Sequence, residues 1–325
     1  MRKVFIVTER RADFSRFKPI LELINDDEHL NYNLVVTGTH LLDSHGKTIN
    51  EIIEGGFKVF KTVQMFEDDI DRDSGAEMTV ALGRVTMGLV KVIEESKPDI
   101  ILSGFDIGAN LAVSIAGAHM NIPVVHIQGG EVSGTIDESI RHAVSKFSHY
   151  HLVSNNDAKN RLIRMGEIPK HIFVVGCPSI DAMLDVDISS PDEIKKKFNI
   201  DVYKKFFLVL QHPVTTELHN AKEQIKETLK AVKKSGVESI LIYPNNDAGS
   251  QAIIGEIKNS NIKYFSTLSL KDYVSLLSYA TALIGNSSSG IHETVTFKVP
   301  TINIGTRQQG RLRPGNVIDV DYEDY

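Results

Sequence analysis

Cysteine occurs once, at Cys177, in a chain of 325 residues. A single thiol excludes an intrachain disulfide and a multi-thiolate metal site formed within one chain, and it fits a reducing compartment. No apolar run approaches the roughly 18 residues of a membrane span. The opening Met1 to Thr8 holds one short apolar stretch before Glu9-Arg10-Arg11, without the length or small-residue cleavage site of a secretory signal. The expectation is a soluble, cytoplasmic protein with no membrane partner. Positive charge is also scarce: 36 Lys and Arg stand against 42 Asp and Glu, a net of −6. This argues against a nucleic-acid partner, because a phosphate backbone is bound by a dense field of Lys and Arg. Single phosphate ligands remain compatible, since a few backbone amides hold one locally. Short-period repeats and low-complexity tracts are absent, so solenoid and disordered readings fall away.

What is present is an ordinary globular composition, 42% apolar and 24% charged. The length exceeds what one hydrophobic core usually serves, so about two domains are expected. Short β-branched runs alternate with helix-like segments, the pattern of parallel α/β units. In the first half the strands are Val4 to Val7, Leu34 to Val36, Ile100 to Leu102, Val124 to His126 and His151 to Val153. Phe17 to Ile24, Val80 to Glu95 and Ala109 to Met120 read as helices covering both sheet faces. After the polar connection Asp185 to Pro191 the second half repeats the pattern, with strands Phe206 to Leu210, Ile240 to Tyr243, Ala282 to Ile284, Thr301 to Ile304 and Val317 to Val320. Ala221 to Lys234, Leu270 to Tyr279 and Gly290 to Phe297 read as its helices. The fold class is α/β: two Rossmann-like domains, 1–185 and 186–325, facing a central cleft, with ligands at the carboxyl ends of the strands.

Several segments at those ends carry chemistry. Gly285-Asn286-Ser287-Ser288-Ser289-Gly290 follows a strand and opens a helix. Small residues let the backbone approach an anion, hydroxyls donate, and a helix N-terminus adds partial positive charge, so the segment suits a phosphate; a plain Ser-rich helix cap is the competing reading. Downstream, Thr306-Arg307-Gln308-Gln309-Gly310-Arg311 places two guanidinium groups to close on a diphosphate. Glu293 suits either ribose hydroxyls or the first turn of a helix. After the first strand, Arg11 and Ser15 suit a phosphate; the competing reading is Asp13 capping the helix beneath a solvated arginine pair. His126 to Asp137 follows a strand and packs three glycines, one imidazole and two carboxylates into a stretch too polar for a core. His149 and His151 share a strand face, a spacing compatible with zinc, but no third ligand stands at useful spacing, so no metal is expected. His212 lies at a further strand end.

Arg11-Ala12-Asp13-Phe14-Ser15, Gly38-Thr39-His40-Leu41, His126 through Asp137, Ser139-Ile140-Arg141-His142, Gly176-Cys177-Pro178-Ser179, Gln211 through Thr216, Pro244-Asn245-Asn246-Asp247 and the block from Gly285 to Arg311 stand in order along the chain. Together they resemble the UDP-N-acetylglucosamine 2-epimerase family, in its hydrolysing branch. The resemblance implies the two-domain glycosyltransferase-B arrangement, a nucleotide-sugar substrate linked to UDP or GDP, no cofactor, and a homodimer or homotetramer. It implies Asp106, His126, Asp137, His149 and His151 as catalytic candidates. As substrate or nucleotide ligands it implies Arg11, Ser15, His40, Gln128, Glu131, Arg141, Gly176, Asp181, His212, Asn246, Ser287, Ser288, Glu293, Arg307 and Arg311.

The mechanism it implies removes the proton at sugar C2, expels the nucleoside diphosphate and adds water at C1, yielding N-acetylmannosamine for sialic-acid-like sugars. Such chemistry needs a base at C2, an acid on the opposite face and cationic support for the diphosphate. The chain departs from the family pattern where hydrolysing members typically carry His-Gly-Asp-Arg: here Gly104-Phe105-Asp106-Ile107 keeps only the acid. Gln128 stands where relatives often have glutamate. The chain stops at Tyr325, soon after its last strand, so the helices that usually close this fold are expected to be missing. A glycosyltransferase on the same fold and a nucleotide-sugar binding protein are the rival functions.

Overall fold

A computed structural model describes residues 1–67, 74–245 and 247–322. The chain divides into two compact units, one formed by 1–131 and 136–182, the other by 132–135 and 183–325.

In the first unit the elements run β1 (Arg2–Thr8), α1 (Arg11–Asn25), β2 (Leu30–Val36), α2 (Ile49–Glu54), β3 (Val59–Thr62), α3 (Gly75–Ser96), β4 (Ile100–Gly104), α4 (Gly108–His119), β5 (Val124–Ile127), α5 (Ile136–Phe147), β6 (Tyr150–Val153), α6 (Asn156–Arg164), β7 (Ile172–Val174) and α7 (Pro178–Leu184), whose last turn crosses into the second unit. The strands form one seven-stranded parallel sheet in the order β3-β2-β1-β4-β5-β6-β7. Side chains alternate along β1. Phe5 and Val7 join the core under α3 and α4, and Val4 and Ile6 join the core under α1, as a parallel sheet covered on both faces requires.

The second unit runs α8 (Pro191–Phe198), β8 (Phe206–Leu210), α9 (Ala221–Ser235), β9 (Glu238–Ile242), α10 (Ser250–Lys258), β10 (Lys263–Phe265), α11 (Leu270–Tyr279), β11 (Ala282–Gly285), α12 (Ser289–His292), β12 (Thr301–Ile304) and β13 (Val317–Val320). Its six strands are again parallel, ordered β10-β9-β8-β11-β12-β13.

Both sheets reverse their winding beside the first strand of the unit: β1 lies between β2 and β4, and β8 lies between β9 and β11. At such a switch point the loops leaving the two central strands diverge to opposite faces, and the crevice between them takes ligands.

Three strands escape the sequence pattern, namely β3, β7 and β10, and all three are sheet edges. Their side chains are largely half-buried or exposed; β3 and β10 each carry a lysine, whereas β7 is a three-residue apolar run, Ile172-Phe173-Val174, that the sequence pattern left out. The helix expected over Gly290 to Phe297 is shorter. Only Ser289–His292 is helical and turns follow. Thr294, Val295 and Thr296 are β-branched, a run that disfavours helix through lost side-chain freedom.

Candidate functional site

At the switch point of the first unit, the turn after β1 is built around buried Asp13, whose carboxylate accepts the N–H groups of Glu9 (2.9 Å) and Arg10 (2.7 Å) and the Thr8 hydroxyl (3.1 Å). Burial raises its pKa against these hydrogen bonds and the Arg10 charge. His40 Nε2 bonds Thr8 Oγ1 at 3.0 Å and its Nδ1 bonds Thr48 Oγ1 at 2.7 Å. Thr8 already donates to Asp13, so it accepts from Nε2–H, and His40 is neutral; burial, then the Arg11 charge, pushes its pKa down to about 3. Glu9, which motif reasoning passed over, is buried, and its Oε2 accepts the Ala109 N–H at 2.9 Å. The start of α4, an inviting place for an anion, therefore holds the protein's own carboxylate. Arg11 pairs with Glu51, and the Ser15 hydroxyl turns back to the Ala12 carbonyl at 2.9 Å.

The turns after β4 and β5 bring together residues far apart in sequence. Arg141, on α5 and 2% exposed, forms an ion pair with Asp106, and its other nitrogen donates to the Glu131 carbonyl at 3.2 Å. Burial alone would lower the guanidinium pKa, but the carboxylates of Asp106, Glu131 and Asp137 outweigh it and hold the group charged. His126 is fully buried behind this cluster, with Nε2 3.1 Å from the Phe105 carbonyl and Nδ1 3.0 Å from Ser145 Oγ. A carbonyl only accepts, so Nε2 carries the proton. Burial pushes the pKa of the ring down to about 3. The imidazole thus braces the turn that presents Asp106, where Phe105 sits at φ 70. Gln128, at φ 59, directs its side chain to Cys177 Sγ (2.9 Å) and Arg16 (3.5 Å). The Glu131 carboxylate accepts from Ser154 Oγ at 2.6 Å.

His149 is placed elsewhere. Its Nδ1 accepts the N–H of Val124 at 3.1 Å, at the start of β5 and so at the opposite end of that strand from Gln128. His151 is buried, with Nε2 3.1 Å from Glu167 Oε2. Gly176 and Asp181 line an apolar groove with Leu152 and Phe173. Among the described residues, no three His, Cys, Asp or Glu side chains are placed to hold a metal ion, and no helix is long and apolar enough to cross a membrane.

In the second unit the loops after β8, β11 and β12 converge on Asn286. Its side chain accepts the His212 N–H (2.7 Å) and donates to the His212 carbonyl (2.9 Å), and its own carbonyl accepts from Gln308 Nε2 (2.8 Å) and Arg307 (3.4 Å). His212 Nδ1 meets Asn245 twice, 3.1 Å from its N–H and 3.2 Å from its side-chain oxygen. Arg307 is buried, 3.8 Å from Asp247. Ser287 and Ser288 head the short turn of α12, with Glu293 buried behind them, and Arg311 bonds His292. Asn246 lies outside the described residues. The segment 132–135 belongs to this unit. The Gly134 N–H donates to the Arg307 carbonyl at 2.9 Å, and a Cβ there would lie 2.1 Å from the Thr306 carbonyl oxygen. Within the first unit the carboxylates and the guanidinium form a centre suited to proton transfer, and within the second unit amide, hydroxyl and guanidinium groups form a cradle suited to phosphate.

The sequence signature of the UDP-N-acetylglucosamine 2-epimerase family matches residues 22–324. The chain belongs to this family. It is 37% identical over 325 residues to a Legionella pneumophila protein named UDP-N,N'-diacetylbacillosamine 2-epimerase (hydrolyzing), a match over 99% of this chain and 85% of that one. It is 36% identical, with the same coverages, to the UDP-N-acetylglucosamine 2-epimerase of Neisseria meningitidis serogroup B. Among solved structures, UDP-GlcNAc 2-epimerase from Neisseria meningitidis bound to UDP-GlcNAc superposes with a TM-score of 0.79 at 18% identity, covering 94% of this chain and 84% of that one. The protein is an enzyme of the hydrolysing 2-epimerase type with a glycosyltransferase-B-like fold.

Within this epimerase the departures around Asp106 have physical counterparts. A Cβ at Gly104 would lie 3.0 Å from Phe17 Cζ, tight enough that the ring must give way before any side chain stands there. Phe105 packs 5.1 Å from Phe17 and under the Arg16 guanidinium at 4.9 Å. Ile107 is buried at the N-cap of α4 and belongs to the apolar interior.

Proposed function

We propose that the enzyme converts a UDP- or GDP-linked N-acetylhexosamine to the free 2-epimer and nucleoside diphosphate, with UDP-N-acetylglucosamine giving N-acetylmannosamine. The observation that carries the reading is the Asp106–Arg141 pair, with Glu131 and Asp137 around it, at the switch point of the first sheet. The Arg141 guanidinium lies against these carboxylates, and a carboxylate is a group that accepts a proton. Asp106 and Asp137 are the proposed proton-transfer pair: one removes hydrogen from C2 as the C1–oxygen bond breaks and the diphosphate leaves. A C1=C2 double bond forms. Water oxygen then bonds to C1 while a proton reaches C2 from the opposite face. His126, neutral and bonded through both nitrogens, positions the Phe105–Asp106 turn. The cradle at Asn286, Ser287, Ser288, Arg307 and His212 supports the leaving diphosphate, and Glu293 faces the ribose.

Incubation in deuterated water with UDP-N-acetylglucosamine, and in parallel with UDP-N,N'-diacetylbacillosamine, tests it. Free sugar carrying deuterium at C2 is expected without any acceptor. Release only on adding an acceptor sugar would mark a glycosyltransferase, and binding without turnover a nucleotide-sugar binding protein.

A further inference from the structure

Tyr322 stands just beyond β13, outside every role assigned so far. Gly305, the first residue after β12, has φ +70, and a Cβ there would lie 2.5 Å from both Cε2 and the hydroxyl oxygen of Tyr322. Glycine is required twice over, by the left-handed backbone and by the ring lying on it. The phenol therefore roofs the root of the 305–311 loop, and its hydroxyl reaches across to the Asn286 side chain, with Glu217 and Arg307 the charges around it. Asn286 is the residue that ties His212, Gln308 and Arg307 together. A phenylalanine would keep the ring over Gly305 but lose the hydroxyl, the part of the side chain that reaches Asn286. Burial, then the Glu217 carboxylate, raises the phenol pKa, and the group stays a neutral donor at neutral pH.

We propose that Tyr322 is a further nucleotide-binding residue, its hydroxyl donating to the diphosphate held between the 286–289 and 305–311 loops. The proposal rests on the nucleotide-sugar reading above. A neutral donor beside Arg307 contacts phosphate oxygen without adding a second buried cation to the same loop.

Calorimetry with UDP, GDP, uridine and guanosine tests it on the full chain. Tyr322→Phe is expected to keep the wild-type Tm, to weaken the diphosphate that the wild type binds by about ten- to hundredfold, and to leave the matching nucleoside unchanged. Gly305→Ala, which displaces the ring but keeps the hydroxyl, is expected to weaken the diphosphate too, with Tyr322→Phe adding little in the double variant. Wild-type diphosphate affinity in Tyr322→Phe, or equal losses for nucleoside and diphosphate, overturns the role of Tyr322 alone. Failure of the wild type to bind either diphosphate overturns the nucleotide-sugar reading and this proposal with it.

Discussion

Arg141 and Asp106 stand 35 positions apart in sequence and form one ion pair, with the guanidinium 2% and the carboxylate 18% exposed. Breaking such a pair from one side leaves a buried charge uncompensated, at a cost of roughly 3–5 kcal/mol. Arg141→Met is therefore expected to destabilise the first unit and to abolish turnover. Arg141→Lys keeps the charge but loses the second donor to the Glu131 carbonyl, and is expected to retain the fold with reduced kcat. Denaturant unfolding alongside steady-state kinetics checks both; an Arg141→Met protein of wild-type stability would show that the pair is not buried in solution.

Asp137 is the cleaner probe of chemistry, because its neighbours Asp106 and Glu131 still compensate Arg141 when it is neutralised. Asp137→Asn is expected to lower kcat by roughly 10²–10⁴, the contribution of a positioned acid or base, with nucleoside diphosphate affinity little changed. In deuterated water the residual product should still carry deuterium at C2, and oxygen from labelled water should appear on the sugar. Product that keeps protium at C2 and the gluco configuration would leave a simple nucleotide-sugar hydrolase.

Arg307 and Gly134 separate charge from backbone placement at the nucleotide loop. Arg307→Ala should weaken nucleoside diphosphate binding by about 1.5–3 kcal/mol, the worth of a hydrogen bond between charged groups. Gly134→Ala keeps the guanidinium but drives a methyl group into the Thr306 carbonyl, so a rise in KM with every charge intact is the expected outcome. Unchanged diphosphate affinity in Arg307→Ala, measured by calorimetry, would remove Arg307 from the site.

Two buried histidines set an acid limit on stability. His40 and His126 both fall to about 3 in the folded chain from 6.5, so between those values the unfolded chain binds the extra protons. Stability therefore rises with pH through this window; it is complete above about pH 6.5 and drains away as the pH falls toward 3. Denaturant midpoints at pH 5 and pH 7.5 should show the loss, and His40→Gln should flatten the slope. The pH–rate profile should contain no ionisation lost with His126→Gln. An unflattened slope in His40→Gln would mean that this imidazole protonates in the fold.

The odd composition of the Asp106 turn is testable too. Ile107→Arg places a guanidinium at a buried N-cap and is expected to lower Tm by several degrees. Gln128→Glu meets Arg16, already 3.5 Å from the amide oxygen, and is expected to leave Tm unchanged while altering turnover. No effect of Gln128→Glu on any nucleotide sugar would show that this side chain does not reach the substrate.

Sequence by itself determined the α/β class, the interior strands and the loops that bear polar chemistry, because buried parallel strands must be continuous apolar runs and the segments leaving them are free to be polar. Among the described residues, ten of thirteen strands follow from such runs, the edge strand β13 among them. The tertiary structure decided the rest. The edge strands β3, β7 and β10 are held by hydrogen bonds to a single neighbour; β3 and β10 mix lysine with apolar residues, and β7 is a run of only three residues. The pairing of Asp106 with Arg141, the closing of α4 by Glu9 and the roofing of Gly305 by Tyr322 are contacts between distant segments, and no local pattern encodes them. The same holds for protonation: His126, His149 and His151 are one residue type near one another in the chain, yet their roles differ because burial and hydrogen-bond partners, not identity, decide whether an imidazole is neutral, pinned to backbone or paired with a carboxylate.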